Sequence, residues 1–175
     1  DHVVATTASA TLLHDLSRTN LFVVPLGDEG VWFRFHHLFA AVARSELEIT
    51  HPERVRSLHA RAAEWFRDHG HIDEAVQHSL AADDAEAASL LVQGSWLAYV
   101  DAGRAATVRG WLDAIDASAA VPDPAAHVTA AWLAALAGNR TALAARLTAL
   151  EGFDDHGPLP DGSRTVESGI AMIQA

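Results

Sequence analysis

Three times along this chain a tryptophan is followed within seven residues by a glycine: Trp65 and Gly70, Trp96 and Gly103, Trp132 and Gly138. The glycines fall 33 and 35 residues apart. Glycine takes the positive φ that ends a helix in a tight turn. Apolar residues recur at helical spacing on both sides of each one, and Val108, Trp111, Leu112 and Ile115 give a clean i, i+3, i+4, i+7 face. A period in the low-to-mid thirties is the mark of stacked helical hairpins, because one helix pair can bury its apolar face only against its neighbours.

The spacing predicts a helix from the capping sequence Thr50-His51-Pro52-Glu53 to about His69, with Val55, Leu58, Ala62, Trp65 and Phe66 inward. Its partner covers about 72–82 and turns Ala75, Val76, Ser79 and Leu80 inward. A second pair covers about 84–102 and 104–115, the first of these burying Ala88, Leu91, Val92, Trp96, Tyr99 and Val100. After a break at Asp116–Pro124, a third pair begins at about 125–137 with Val128, Ala131, Trp132 and Ala135, and Leu143, Leu147 and Leu150 complete it. A loop at about 152–163 precedes a last helix near 165–174. The tetratricopeptide repeat has a similar period, but there the glycine lies inside the first helix and here it falls at the turn. The expectation is a degenerate, tetratricopeptide-like superhelix, with further repeats beyond Ala175 to cover its apolar end.

The first 50 residues follow a different rhythm. In Val31-Trp32-Phe33-Arg34-Phe35 the odd positions are all apolar, and beyond His36 the residues Leu38, Phe39, Val42 and Leu47 recur at helical spacing. Leu21–Leu26 is a second strand candidate, separated from the first by the turn residues Gly27-Asp28-Glu29-Gly30. Before it, Ala8–Arg18 places Leu12, Leu13 and Leu16 on one helical face. Helix, strand, turn, strand, helix is how a winged-helix unit ends.

Charge and composition narrow the chemistry. All 12 basic residues are arginine, against 23 acidic ones, so the net charge is -11 and the chain repels a phosphate backbone. Direct nucleic-acid binding by this segment is not expected. Without lysine there is no phosphate-binding loop of the Walker A type, and without cysteine there is neither a disulfide nor a thiolate metal site. No apolar run approaches the roughly 20 residues that span a bilayer, and no basic n-region opens the chain. The expected setting is the cytoplasm.

NLFVVPLGDEGVWFRFHHLFAAVARSEL at 20–47, LHARAAEWFRDHGHIDEAVQHSLAADDAEAASLLV at 58–92 and GRAATVRGWLDAI at 103–115 together resemble the middle of MalT-like, LuxR-family transcriptional regulators. That resemblance implies a winged-helix region over 1–50 followed by tetratricopeptide-like hairpins over 51–175. It also implies absent neighbours: an N-terminal signal-transduction ATPase that holds ATP or ADP, and a C-terminal DNA-binding helix-turn-helix. The superhelix of such a protein senses a small-molecule inducer or a protein effector. FRFHHL is similar to the Met-His-Asp motif of related signalling ATPases, whose histidine contacts the β-phosphate of ADP. On that likeness Phe35 stands at the methionine position, His36 at the histidine and His37, a departure, at the aspartate. Only His36 therefore carries an implied nucleotide-sensing role. Arg34 reads as a solvated residue on the polar face of the hairpin.

The other site chemistries find little here. There are eleven histidines, but no pair lies four apart with a glutamate between, so His59, His69, His71 and His78 do not announce a zinc site. No Gly-x-Ser-x-Gly elbow occurs, and Asp83-Asp84 and Asp154-Asp155 read as helix caps and loop residues. The five tryptophans read as core. No enzymatic activity is expected of this segment. The alternative to a regulatory segment is a stand-alone helical-repeat adaptor that binds a protein without a nucleotide.

Overall fold

The computed structural model of the chain describes residues 9–19, 22–26, 32–118, 123–151, 153, 159 and 161–174, apart from the side chain of Trp32. Within them the order is α1 (Ser9–Arg18), β1 (Val23–Leu26), β2 (Trp32–Phe35) and α2 (His37–Thr50). The helices α3 (Pro52–Asp68), α4 (Ile72–Ala81), α5 (Ala85–Asp101) and α6 (Ala105–Ser118) follow. Then come α7 (Pro124–Leu136), α8 (Arg140–Leu150) and α9 (Val166–Gln174). The fold is mostly helical with one small antiparallel hairpin, in the order the two hydrophobic rhythms predict. The turn read at Gly27–Gly30, Val31 and the Asp154-Asp155 pair lie outside the described residues.

The repeated glycines act at one geometry. Gly70, Gly103 and Gly138 have φ of +75°, +75° and +65°. After each, the next backbone N–H donates to a carbonyl five residues back: His71 to Phe66 at 2.9 Å, Arg104 to Tyr99 at 2.7 Å and Asn139 to Ala134 at 2.9 Å. This closure satisfies helix-end carbonyls and folds the second helix against the first. The α4–α5 turn repeats it without glycine: Asp83 has φ +60°, and Asp84 donates to Ser79 at 3.0 Å. Asp83 also takes Arg56 Nε at 2.8 Å. Around Gly103 a Cβ would meet nothing within 4 Å. A Gly103→Ala change should therefore cost only the backbone strain, about 1–2 kcal/mol, read as a lower urea midpoint with an unchanged m-value.

The core lies between successive hairpins. Val76, Val92, Trp96, Val108, Leu112 and Ile115 form its centre, and Val128, Leu150 and Val166 form a second cluster where α9 covers α7. All four residues of the predicted α6 face are buried. The helix α7 is buried almost all round, which fits its apolar, alanine-rich sequence, because it packs on α5, α6, α8 and α9. On α3 the predicted face is shallower: Ala62 and Ala63 are buried, while Val55, Leu58, Trp65 and Phe66 are half-buried. The predicted cap is corrected. Thr50 ends α2 and its hydroxyl donates to Glu46 O at 2.7 Å, while His51 stands at the α3 N-cap without a side-chain bond. Among the tryptophans, Trp96 and Trp111 are buried and Trp65 and Trp132 half-buried.

Polar side chains tie one hairpin to the next. Asp73 on α4 accepts from Tyr99 and Arg104, whose guanidinium also lies 4.4 Å over the Tyr99 ring. Burial pushes the Asp73 carboxyl up, but those two hydrogen bonds outweigh it and hold it below the usual carboxylate range. Arg146 on α8 bridges Asp113 and Asp116 on α6. Trp132 Nε1 donates to Asp161 at 2.8 Å, which anchors the approach to α9.

Candidate functional site

The site begins in the two strands. Val23 pairs with Phe35, Val24 with Arg34, Pro25 with Phe33 and Leu26 with Trp32. The ladder is prolonged by one bond, from His36 N–H to Phe22 O at 2.6 Å. The next carbonyl, that of His36, already accepts from Ala40 N–H at 2.9 Å, so His36 belongs to the hairpin through its nitrogen and to α2 through its oxygen. Its φ of -56° and ψ of 133° place it at the N-cap.

Phe39, one turn into α2, reaches back and stacks on Phe22 at 5.0 Å and lies 5.5 Å from Phe35. These rings brace the turn from strand to helix. The imidazole of His36 is exposed, 4.4 Å from that of His37, and makes no side-chain cap. Among the described residues no hydrogen bond reaches it. Its backbone is thus fixed on both sides while its ring is exposed at the start of α2, whose first N–H groups have no side-chain partner among the described residues. Donors in this arrangement suit an anion. Arg34 is exposed, in keeping with a solvated position.

The apolar face of α2 is not covered by the described residues. Leu38, Val42 and Ile49 are 64%, 70% and 76% exposed, and Phe22 and Phe35 are about half exposed. Of the residues predicted to recur at helical spacing, Leu38, Phe39 and Val42 lie on a face that looks outward, while Leu47 is half-buried.

Two grooves lie farther along. One, of about 380 Å³, separates α3 from α5 and is lined by Ala60, Ala63, Ala82, Ala87 and Leu90, with Ser79 at its base. The Ser79 hydroxyl is buried with no partner among the described residues. Small side chains open this gap: α3 and α5 barely touch, whereas α5 and α7 do. The other, of about 350 Å³, lies among α6, α7 and α8 over Leu112 and Leu133, with Arg109 and Asn139 at its walls. Neither groove has a sequence signal, because alanines in a helix look alike whether they line a gap or a contact. Among the described residues no three His, Asp or Glu side chains gather as metal ligands, and no helix is long and apolar enough to cross a membrane. His59 and His78, two of the histidines that announce no zinc site, meet across the α3–α4 interface.

The family described as the MalT winged helix domain matches residues 1–55. The serine/threonine-protein kinase PknK of Mycobacterium tuberculosis (strain ATCC 25618 / H37Rv) is 39% identical over 87 residues, 50% of this chain and 8% of the kinase. The HTH-type transcriptional regulator MalT of Yersinia enterocolitica is 33% identical over 123 residues, and that of Vibrio parahaemolyticus 28% over 124 residues, each match covering 70% of this chain and 14% of the regulator. The chain thus spans only 8–14% of the length of these relatives. No solved structure matches it. Strand pairing, the helix that follows it and the hairpins behind agree with the family match at residues 1–55 and the regulators' match over 70% of the chain, and the chain is a MalT-like segment.

Proposed function

We propose that this chain is the regulatory middle of a MalT-like transcriptional regulator, coupling a signal on the helical stack to the state of an ATP-binding domain. The observation that carries this reading is the junction at His36: a fixed backbone, an outward imidazole and an uncapped helix start, bordered by an apolar face that asks for cover. The ring and the α2 amides would together form one wall of a nucleotide site and hold the β-phosphate of ADP in the resting state. A bound nucleotide would supply the negative charge that these donors hold. The phosphate loop would belong to the ATP-binding domain, since this chain has neither the glycine-rich turn nor its lysine. The grooves along the stack would take the inducer or effector, whose differential affinity shifts the resting equilibrium. The net charge of -11 supports a reading in which DNA contact would fall to a different part of the polypeptide.

His36→Ala in the full-length protein should raise basal activation severalfold and speed ADP release. Wild-type values of both would remove the sensor role. The similarity to PknK favours a second reading, in which the same segment regulates a protein kinase. The coding sequence upstream of Asp1 separates the two, as a kinase domain there would replace the transcriptional output with a phosphorylation assay. It also tests the adaptor alternative, which expects neither a kinase domain nor a phosphate loop.

A further inference from the structure

The helices α3 and α4 pack along their length, and midway His59 Nδ1 lies 2.7 Å from His78 Nδ1. The rings are 4.9 Å apart, and that of His78 is stacked on Phe66 at 5.3 Å. A neutral imidazole carries one N–H and one bare nitrogen. So short a contact needs Nδ1–H on one ring and a bare Nδ1 on the other. A first added proton can sit on a far Nε2 and leave the contact intact. A second must go to the bare Nδ1, where two N–H groups would then face each other. The couple accepts one added charge and not two.

The surroundings do little to relieve this. Glu74, one turn earlier on α4, is the acidic group acting on His78. From α3, Arg56 is turned to Glu53 and Asp83. From α5, Asp84 caps its own helix at Ala87, and Arg104, ahead of α6, is held by Asp73. On α2, which rests on α3, none of Arg44, Glu46 and Glu48 hydrogen-bonds either ring among the described residues.

We propose that the His59–His78 couple is an acid-sensitive latch, closing α3 on α4 while it holds at most one added proton and releasing them when both rings are charged. Its position gives it reach. The neighbouring residues Ala60 and Ser79 line the α3–α5 groove, and α2 sits on α3, so release changes both the groove and the seat of the winged-helix region. Burial holds His78 below the ordinary histidine value, and the nearby His59 pushes the same way against Glu74. An unfolded chain takes up this proton at about pH 6.5, and the closed hairpin only at lower pH. The unfolded or open form therefore binds more protons in that interval. The latch contributes fully above that pH, and its contribution is lost as pH falls through the folded value.

Hydrogen exchange of the 175-residue chain at pH 7.5 and 5.5, corrected for intrinsic rates, tests the latch. In the wild type the α3 and α4 amides should lose at least fivefold protection at the lower pH relative to those of α5 and α6. In the double variant His59→Gln with His78→Gln, which keeps hydrogen-bonding groups but cannot titrate there, protection should be equal at both values. A wild type without the selective loss, or a double variant that retains it, overturns the proposal. Ring titration of the wild type by NMR gives an independent reading that does not depend on the variant folding. Two separated steps are expected, and two rings titrating together at the ordinary value overturn the latch.

Discussion

Trp96→Ala should lower the unfolding free energy by about 3–5 kcal/mol, enough to remove a large part of the stability of an ordinary domain. The ring is 3% exposed and lies between α4, α5 and α6, touching the same core as Val76, Val108 and Leu112. In a stack whose units contact only their neighbours, a cavity there loosens hairpins one and two together. Trp96→Phe should cost much less, about 1 kcal/mol. The indole Nε1 is buried without a partner among the described residues, so phenylalanine removes an unsatisfied donor while keeping most of the ring. Urea unfolding followed by circular dichroism measures both. If alanine costs no more than phenylalanine, the packing assigned to this ring is wrong.

How much of this could be read from residues alone depends on the range of the contact. The face of α6 was fully legible, because Val108, Trp111, Leu112 and Ile115 need only one helix to be recognised. The glycine turns were legible too, since a positive φ has a local signature. Asp83 takes the same conformation without that signature, because an aspartate before a second aspartate reads equally well as a cap.

Contacts between elements were not legible in the same way, yet they follow a rule once the stack is known. Ser89 meets Asp123, Asp73 meets Arg104, and Arg146 meets Asp116, at separations of 34, 31 and 30 residues. Each is close to one repeat, so side chains in similar positions of successive hairpins face each other. The His59–His78 contact obeys a different geometry. Folded at Gly70, His59 lies 11 residues before the turn and His78 eight after it, which at about 1.5 Å per residue puts them at similar heights. That comparison needs the turn and the facing sides of both helices, and periodicity alone supplies neither. At the His36 junction the change of period located the turn from strand to helix. The exposure of α2 was not foreseeable, because an apolar face looks the same whether its cover lies inside or outside the chain.

Asp123→Ala should cost about 2–4 kcal/mol, since it removes two functions of one carboxylate. Its Oδ1 accepts from Ala125 N–H at 2.9 Å and caps α7, and its Oδ2 accepts from the Ser89 hydroxyl on α5. Ser89 is almost wholly buried and also receives Gln93 Nε2 at 3.0 Å, so losing Asp123 strands a hydroxyl that water cannot reach. Asp123→Asn should cost less than half as much, because its amide oxygen keeps the cap on Ala125 N–H while its NH2 can donate to the Ser89 oxygen. Ser89→Ala separates the two functions: it breaks the tie and leaves the cap. The double-mutant cycle of Ser89→Ala with Asp123→Ala should show a coupling of about 1–2 kcal/mol, and strict additivity would mean that only the cap matters. This tie joins α5 to α7, where the first helices of adjacent hairpins pack, whereas α3 and α5 barely touch and a groove opens between them. Hairpins two and three should therefore be coupled through this bond as well as through the packing of α5 and α6 on α7. Breaking the Ser89–Asp123 bond should raise hydrogen exchange in α5 and α7 together while leaving the α3–α4 amides unchanged.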